Sequence, residues 1–108
     1  MNIAQILSDK NARKNEIEIL LQDPKVFGDQ NKLREINREY RDIAGVIKIA
    51  ENIFKLEQAI TQAEDTLANE TDPEMIELAK NELLNLNAKN LKTRSCLLHL
   101  YRRLLTGL

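Results

Sequence analysis

One cysteine and one histidine near the end of the sequence are the first candidates for chemistry. Cys96 and His99 lie three residues apart, so a helix would present the thiol and the imidazole on one face. A structural zinc site needs four ligands, and the sequence has no further cysteine or histidine to supply them. Leucines surround Cys96, which favours a buried or incidental thiol over an activated nucleophile. This pair therefore predicts neither a metal site nor covalent catalysis.

Neighbouring carboxylates are the second candidates, because paired acids can perform general acid and base catalysis. Glu16 with Glu18, and Glu64 with Asp65, lie in polar stretches that lack the apolar pocket of a catalytic acid. The three glycines stand far apart, so there is no glycine-rich phosphate loop. We therefore expect no catalytic residue, no cofactor and no metal, and the sequence favours a protein that is not an enzyme.

The distribution of charge offers a third kind of chemistry. Residues 1–82 carry eleven basic and seventeen acidic side chains, a net charge of −6, whereas residues 83–108 carry +5 and no acid. Basic residues near the carboxyl end of a helix interact favourably with its dipole, and this is the favoured interpretation. The alternative is a small RNA-binding helix bundle, which has weak support because Tyr101 is the one aromatic residue near these charges.

The composition favours long helices that share a thin aliphatic core. The chain is 43% hydrophobic and 31% charged, with only three glycines and two prolines in 108 residues. A single cysteine excludes an internal disulfide and fits a reducing compartment. The sequence has no apolar run of eighteen residues and no secretory signal at its start. These features predict one cytoplasmic domain with no membrane span.

Residues 29–69 must form the element around which the others are placed. This stretch has no proline, and its apolar residues recur at steps of three and four, as on one face of a helix. Two such rows overlap in the middle, where Gly45 marks a place at which we expect curvature. The first row is Leu33, Ile36, Tyr40, Ile43, Ile47, Ala50 and Phe54, and the second is Val46, Ile49, Ile53, Leu56, Ile60, Ala63 and Leu67.

The turn before this helix begins at Asp23-Pro24, because the residue before a proline avoids the helical region. We expect Val26 and Phe27 to plug the end of the bundle. Gly28 is expected to adopt a backbone conformation that other residues resist. Asp29 is expected to cap the long helix.

The turn after the long helix has two candidate caps for the next helix. Thr71 with Glu74 three residues later matches a capping box. Alternatively, Asp72 is the cap and Pro73 the first helical residue. Thr106-Gly107 is a plausible helix stop at the other end.

Together these signals predict helices over about 2–22, 29–69 and 72–105 in a single domain, 1–108. Lys10, Arg13 and Lys14 interrupt the apolar stripe of the first helix, so we expect its middle to be loosely packed. Because short connections favour antiparallel neighbours, the predicted fold is an all-α, elongated, coiled-coil-like three-helix bundle with a long central helix. On these grounds alone the protein is a helical interaction module.

Two stretches of the sequence resemble the N-terminal region of bacterial class I peptide chain release factors. One is the turn at residues 21–27 followed by the helix start at 32–40, and the other is Thr71–Leu83. The second stretch looks like the release factor 1 branch of that family. Phe27 agrees with this, because the release factor 2 branch usually carries tryptophan there. The resemblance covers roughly residues 10–91.

This resemblance implies the helical N-terminal domain of a translation termination factor. In the family, that domain sits at the ribosomal stalk base, the GTPase-associated centre, and faces the class II release factor GTPase. Codon reading and peptide release belong to other domains, through a tripeptide and a Gly-Gly-Gln loop that this sequence lacks. The resemblance therefore implies a ribosome-associated, non-catalytic module.

Residues 92–108 depart from the family pattern. A natural truncation, a shifted reading frame or an expression boundary would each explain the departure, and the sequence leaves these three open. The apolar segment 96–108 also leaves a homodimer open, and a generic coiled-coil module that self-associates is the alternative to the release-factor interpretation.

Overall fold

A computed structural model describes residues 2–105, apart from the side chain of Leu105. These residues form four helices and no strand: α1 (Ile3–Leu20), α2 (Pro24–Phe27), α3 (Gln30–Asn69) and α4 (Pro73–Leu105). The molecule measures 65 × 25 × 17 Å. The predicted all-α, elongated bundle with a long central helix is therefore confirmed. The expected helix stop at Thr106-Gly107 lies outside the described residues.

The turn between α1 and α3 contains the short helix α2, which the sequence analysis treated as part of a turn. The Asp23 side chain accepts a hydrogen bond from the Lys25 amide at 2.9 Å and so begins α2. Asp29 caps α3 as expected, because its carboxylate accepts from the amide of Asn31 at 3.1 Å. Each new helix thus begins at an aspartate that satisfies free backbone donors.

The structure gives a reason for glycine at position 28 that differs from the expected one. Its φ of −81° and ψ of −11° lie in the right-handed helical region, so the predicted unusual backbone conformation is wrong. A Cβ atom at this position would instead lie 2.8 Å from the carbonyl oxygen of Pro24. The close approach of the α2 backbone, and not the dihedral angle, therefore favours glycine.

The turn between α3 and α4 decides between the two candidate caps. The Asp72 carboxylate accepts from the Glu74 amide at 3.0 Å, and α4 begins at Pro73. Asp72 is therefore the cap and Pro73 the first helical residue, as the second of the two alternatives predicted.

The core lies where all three long helices meet. One cluster of buried side chains joins Ile3 of α1 to Val46, Ala50 and Ile53 of α3 and to Leu97 of α4. A second cluster joins Ile17 to Ile43 and Ile47, so α1 runs antiparallel to α3. Because Ile3 already lies at Ile53, α1 covers only about the first half of α3.

Beyond this point α3 and α4 form a two-helix hairpin, and we call residues 54–96 the hairpin arm. Among the described residues of the arm, the buried apolar side chains are two alanines, Ala63 and Ala79. Alanines bury little apolar area, so the arm has a thin core. The arm also presents several large apolar side chains to solvent, which makes it a candidate surface for a partner.

Candidate partner-binding surface

Large apolar side chains are exposed at both turns and along α4. Exposed apolar groups that lie together on a protein surface often mark contacts with a partner. The described residues with this property are Ile19, Phe27, Phe54, Met75, Leu78, Leu84, Leu91 and Leu98.

At the first turn, the two apolar residues of α2 have different environments. Val26 is buried, whereas Phe27 keeps 53% of its surface exposed. Only Val26 therefore plugs the end of the bundle, and the expectation that Phe27 does the same is wrong. The Phe27 ring is instead available to a partner at this end of the molecule.

At the second turn, α3 and α4 enclose an open groove of about 710 Å³. Met75 and Leu78 contribute apolar surface to it, and Glu82 and Lys89 contribute charge. Ala63 and Ala79 lie at the base of this region, where their small side chains leave space between the helices. The groove is wide open to solvent and has the shape of a contact surface more than of a pocket for a small molecule.

On another face of α4, three leucines form a straight row. Leu84, Leu91 and Leu98 are spaced by seven residues and are 69%, 72% and 55% exposed. Seven residues make nearly two helical turns, so the three side chains point in about the same direction. We call Leu84, Leu91 and Leu98 the leucine row. The spacing of these leucines is visible in the sequence, and the structure adds that the row is exposed and that Leu84 and Leu91 lie on the hairpin arm.

Ion pairs fix the helices that carry these surfaces. Arg94 of α4 donates to the Glu57 carboxylate of α3 at the base of the arm. Arg13 of α1 forms a two-bond pair with Glu39 of α3, through Nε at 2.6 Å and Nη2 at 3.0 Å. The two-bond pair imposes geometry as well as attraction and so holds α1 in register on α3. The single bond from Arg94 joins α4 to α3 at the base of the arm.

The Arg13–Glu39 pair also changes the ionisation of its members. The hydrogen bond from Arg13 lowers the pKa of the Glu39 carboxyl below its ordinary value, against the smaller opposing effect of burial. Hydrogen bonds to Glu39 and Glu16 raise the pKa of Arg13. The interruption of the α1 stripe by Arg13 is thus a cross-helix contact with a residue 26 positions away, which helical periodicity does not indicate.

Cys96 and His99 are both exposed, so of the two alternatives for the thiol, buried or incidental, the buried one is wrong. They line an open groove of about 530 Å³ together with Arg41 and Gly45 of α3. Within residues 2–105, no three cysteine, histidine or acidic side chains come together in a group that could hold a metal ion. The described geometry around Cys96 therefore offers an open surface.

These surfaces lie within a segment that matches a known protein family. The family described as the PCRF domain matches residues 10–105. The chain belongs to the PCRF-domain family. The match includes residues 92–105, which is part of the stretch whose sequence departs from the motif pattern of release factors.

Curated relatives of this PCRF-domain chain are peptide chain release factors 1. The protein of Chloroherpeton thalassium is 40% identical over 68 residues, which are 63% of this chain and 19% of that protein. The protein of Bacteroides fragilis is 33% identical over 84 residues, 78% of this chain and 23% of that protein. The protein of Akkermansia muciniphila is 32% identical over 95 residues, 88% of this chain and 26% of that protein. No solved structure gives a significant match.

The PCRF-domain chain thus spans about a fifth to a quarter of the length of these relatives. The resemblance to release factor 1 that the two turn motifs indicated is confirmed. The first motif covers α2 and the first turns of α3, and the second covers the turn after α3 and the start of α4. Across residues 2–105, no helix is long and apolar enough to cross a membrane.

Proposed function

We propose that this chain acts in translation termination, as a cytoplasmic, ribosome-binding helical domain like the N-terminal part of peptide chain release factor 1. The observation that carries the proposal is the family match over residues 10–105. The capped turns at Asp23 and Asp72 add support, because they lie in the two motif stretches and set where α2 and α4 begin, on either side of α3.

The partners that follow from this proposal are the ribosomal stalk base, or GTPase-associated centre, and the class II release factor GTPase. The exposed apolar residues at the turns support a docking role. Phe27 lies at one end of the elongated bundle, and Met75 and Leu78 lie at the other. A rigid bundle with an apolar contact at each end can join two partners at a set distance.

The domain is proposed to be non-catalytic. The sequence contains no Gly-Gly-Gln segment, which is the part of the family that acts in peptide release. Its role is then to position its binding partners, and peptide release belongs to other domains or other proteins. In a termination assay with ribosomes stalled at a stop codon, we expect the chain alone to leave the rate of peptide release at the level without factor. Release above that level would contradict this part of the proposal.

A competition experiment tests the ribosome-binding part. We expect the chain to sediment with ribosomes and to be displaced by an excess of full-length release factor 1. Phe27→Ala is expected to weaken binding by about tenfold, because a central aromatic contact often carries this much of the free energy of an interface. Phe54→Ala is the matched control, since Phe54 is an exposed phenylalanine away from both turns.

Two results would contradict the proposed binding. Sedimentation without displacement by release factor 1 would show a different site. Equal weakening by Phe27→Ala and Phe54→Ala would remove the turn as the docking surface.

Self-association as a coiled-coil module is the second candidate, and the exposure of Leu98 in the apolar C-terminal segment favours it. A homodimer through this segment would dissociate on dilution. Sedimentation velocity over a wide range of protein concentration tests this, and a constant monomeric sedimentation coefficient would exclude it.

A further inference from the structure

The leucine row forms one side of a heptad contact that has no partner within the described molecule. Ala88 and Ser95 lie between the leucines, so the exposed surface reads Leu84, Ala88, Leu91, Ser95 and Leu98 at steps of four and three. This alternation is the spacing by which two helices pack in a coiled coil. The small residues leave holes between the leucines into which the side chains of a second helix would fit.

The charged residues beside Leu91 and Leu98 are basic, and the exposed acid Glu77 lies one heptad before Leu84 on the same face. Lys92 is exposed and follows Leu91 directly, while Lys80 lies one turn before Leu84 and Arg102 one turn after Leu98. No acidic residue follows Glu82 in the sequence. Residues that flank a heptad contact select the partner through charge. The flanks of this row therefore favour a partner helix with acidic flanks.

We propose that the leucine row binds an amphipathic helix of another protein that has apolar residues on its contact face and glutamate or aspartate beside them. The charges make such a helix a better occupant than a second copy of this chain. A second copy would bring Lys80, Lys92 and Arg102 against the same basic residues, while the acids of α4 lie in its first third, at Glu74, Glu77 and Glu82.

The apolar character of the row also separates this partner from nucleic acid. The row presents mainly leucine, a side chain that has no aromatic ring to stack on a base and no group to hydrogen-bond to a base edge. A polyanion would be held by the basic residues alone, and removal of a leucine would leave its affinity unchanged. This proposal does not depend on ribosome binding, because the row lies on α4 between the two turns.

Peptide binding to the full chain tests the proposal. The probe is a fluorescein-labelled synthetic helix of about four heptads, with leucine and alanine at its contact positions and glutamate at the flanking positions. A second peptide has the same contact positions with lysine at the flanks, and a third keeps the glutamates with serine in place of leucine. Fluorescence anisotropy should show binding of the first peptide at least about tenfold tighter than that of either other peptide.

Two variants with matched controls locate the site. Leu91→Ala should weaken binding of the first peptide by about tenfold. The matched control is Leu78→Ala, at a comparably exposed leucine that lines the groove on another face of α4. This control should leave the affinity for the peptide unchanged. Lys92→Glu should weaken binding of the first peptide by about threefold or more. Its control is Lys89→Glu, because Lys89 lines the groove with Leu78, and this change should have a smaller effect. Circular dichroism of each variant should show unchanged helix content, because these side chains are exposed.

Several results would overturn the proposal. Equal affinity for the glutamate and lysine peptides would remove the charge argument, and an unchanged affinity in Leu91→Ala would remove the row. A dimer in sedimentation that Leu91→Ala dissociates would show that a second copy occupies the row. An oligonucleotide that displaces the peptide, and that binds Leu91→Ala as tightly as the unmodified chain, would show a polyanion site. None of these results would bear on competition with release factor 1 for ribosomes.

Discussion

Two regions of the molecule bury apolar surface differently. One is the half that α1 covers, around residues 43–53 of α3, which we call the covered half, and the other is the hairpin arm. In the covered half, isoleucines and leucines from three helices interlock, and Ile17, Ile53 and Leu97 are fully buried. In the arm, the same α3 and α4 continue with two alanines as their buried residues. A long helix in this chain is therefore stabilised very unevenly along its length.

Because of this difference, the residues that stabilise the fold and the residues that can contact a partner lie in different parts of the molecule. Large buried side chains contribute most of the free energy of folding, whereas exposed ones contribute little. The covered half is where substitution should damage the fold. The arm and the turns are where apolar side chains are free to contact a partner.

The largest expected effect on the free energy of unfolding comes from removing a buried side chain in the covered half. Ile53→Ala should lower the free energy of unfolding by about 3 kcal/mol, because it removes a fully buried side chain and leaves a cavity. Leu91→Ala in the arm should change it by less than about 0.5 kcal/mol. Urea denaturation followed by circular dichroism measures both values. Similar losses in the two variants would contradict the division into a covered half and a thin arm.

A smaller effect is expected at Gly45, in the middle of α3. Gly45→Ala should raise the free energy of unfolding by about 1 kcal/mol, since alanine favours the helix and its Cβ would lie 3.9 Å from Leu100 Cδ2, an ordinary contact distance. Thermal and urea denaturation measure the gain. A loss of stability would instead indicate that α3 needs glycine for the curvature that the sequence suggested at this position.

The smallest expected effect concerns the pH dependence that the Arg13–Glu39 pair adds to the covered half. Arg13 lowers the pKa of Glu39 in the folded state, so the pair stabilises the fold at pH values above the ordinary carboxyl pKa of about 4.3. This contribution is lost as the pH falls through the lowered pKa of Glu39. Glu39→Gln should therefore lose less stability than the unmodified chain between neutral pH and about pH 3.

The control for this measurement is Glu35→Gln, an exposed position one turn earlier on α3. Its acid dependence should match that of the unmodified chain. Urea midpoints at each pH report the comparison, and identical pH profiles for Glu39→Gln and Glu35→Gln would show that the pair adds nothing to folding.

Much of the fold was predictable because it depends on local signals. Asp29 and Pro73 act through backbone donors and dihedral angles within a few residues, so sequence spacing is enough to place the ends of α3 and α4. The central helix was predictable because its apolar periodicity extends over many turns. The family was predictable from the two stretches that contain these turns.

The surfaces were harder to predict because they depend on which helix covers which. Leu98 is exposed although the adjacent Leu97 is buried with Ile3 of α1, so exposure of the row depends on which face of α4 packs on α3. Periodicity does not show which of two apolar faces that is. Arg13 and Glu39 are far apart in sequence, so their pairing required the relative register of α1 and α3. Phe27 and Val26 are adjacent residues of similar hydrophobicity, and only the orientation of α2 determines which one is buried.

The exposure of the leucine row has a consequence for how this protein can change over evolutionary time. A residue that is mostly in water in the folded chain can mutate with little effect on the fraction of molecules that fold. Leu84, Leu91 and Leu98 can therefore vary to suit a new neighbour without a compensating change in the covered half. Selection can act on partner choice at these three positions while the rest of the helix continues to be maintained for folding.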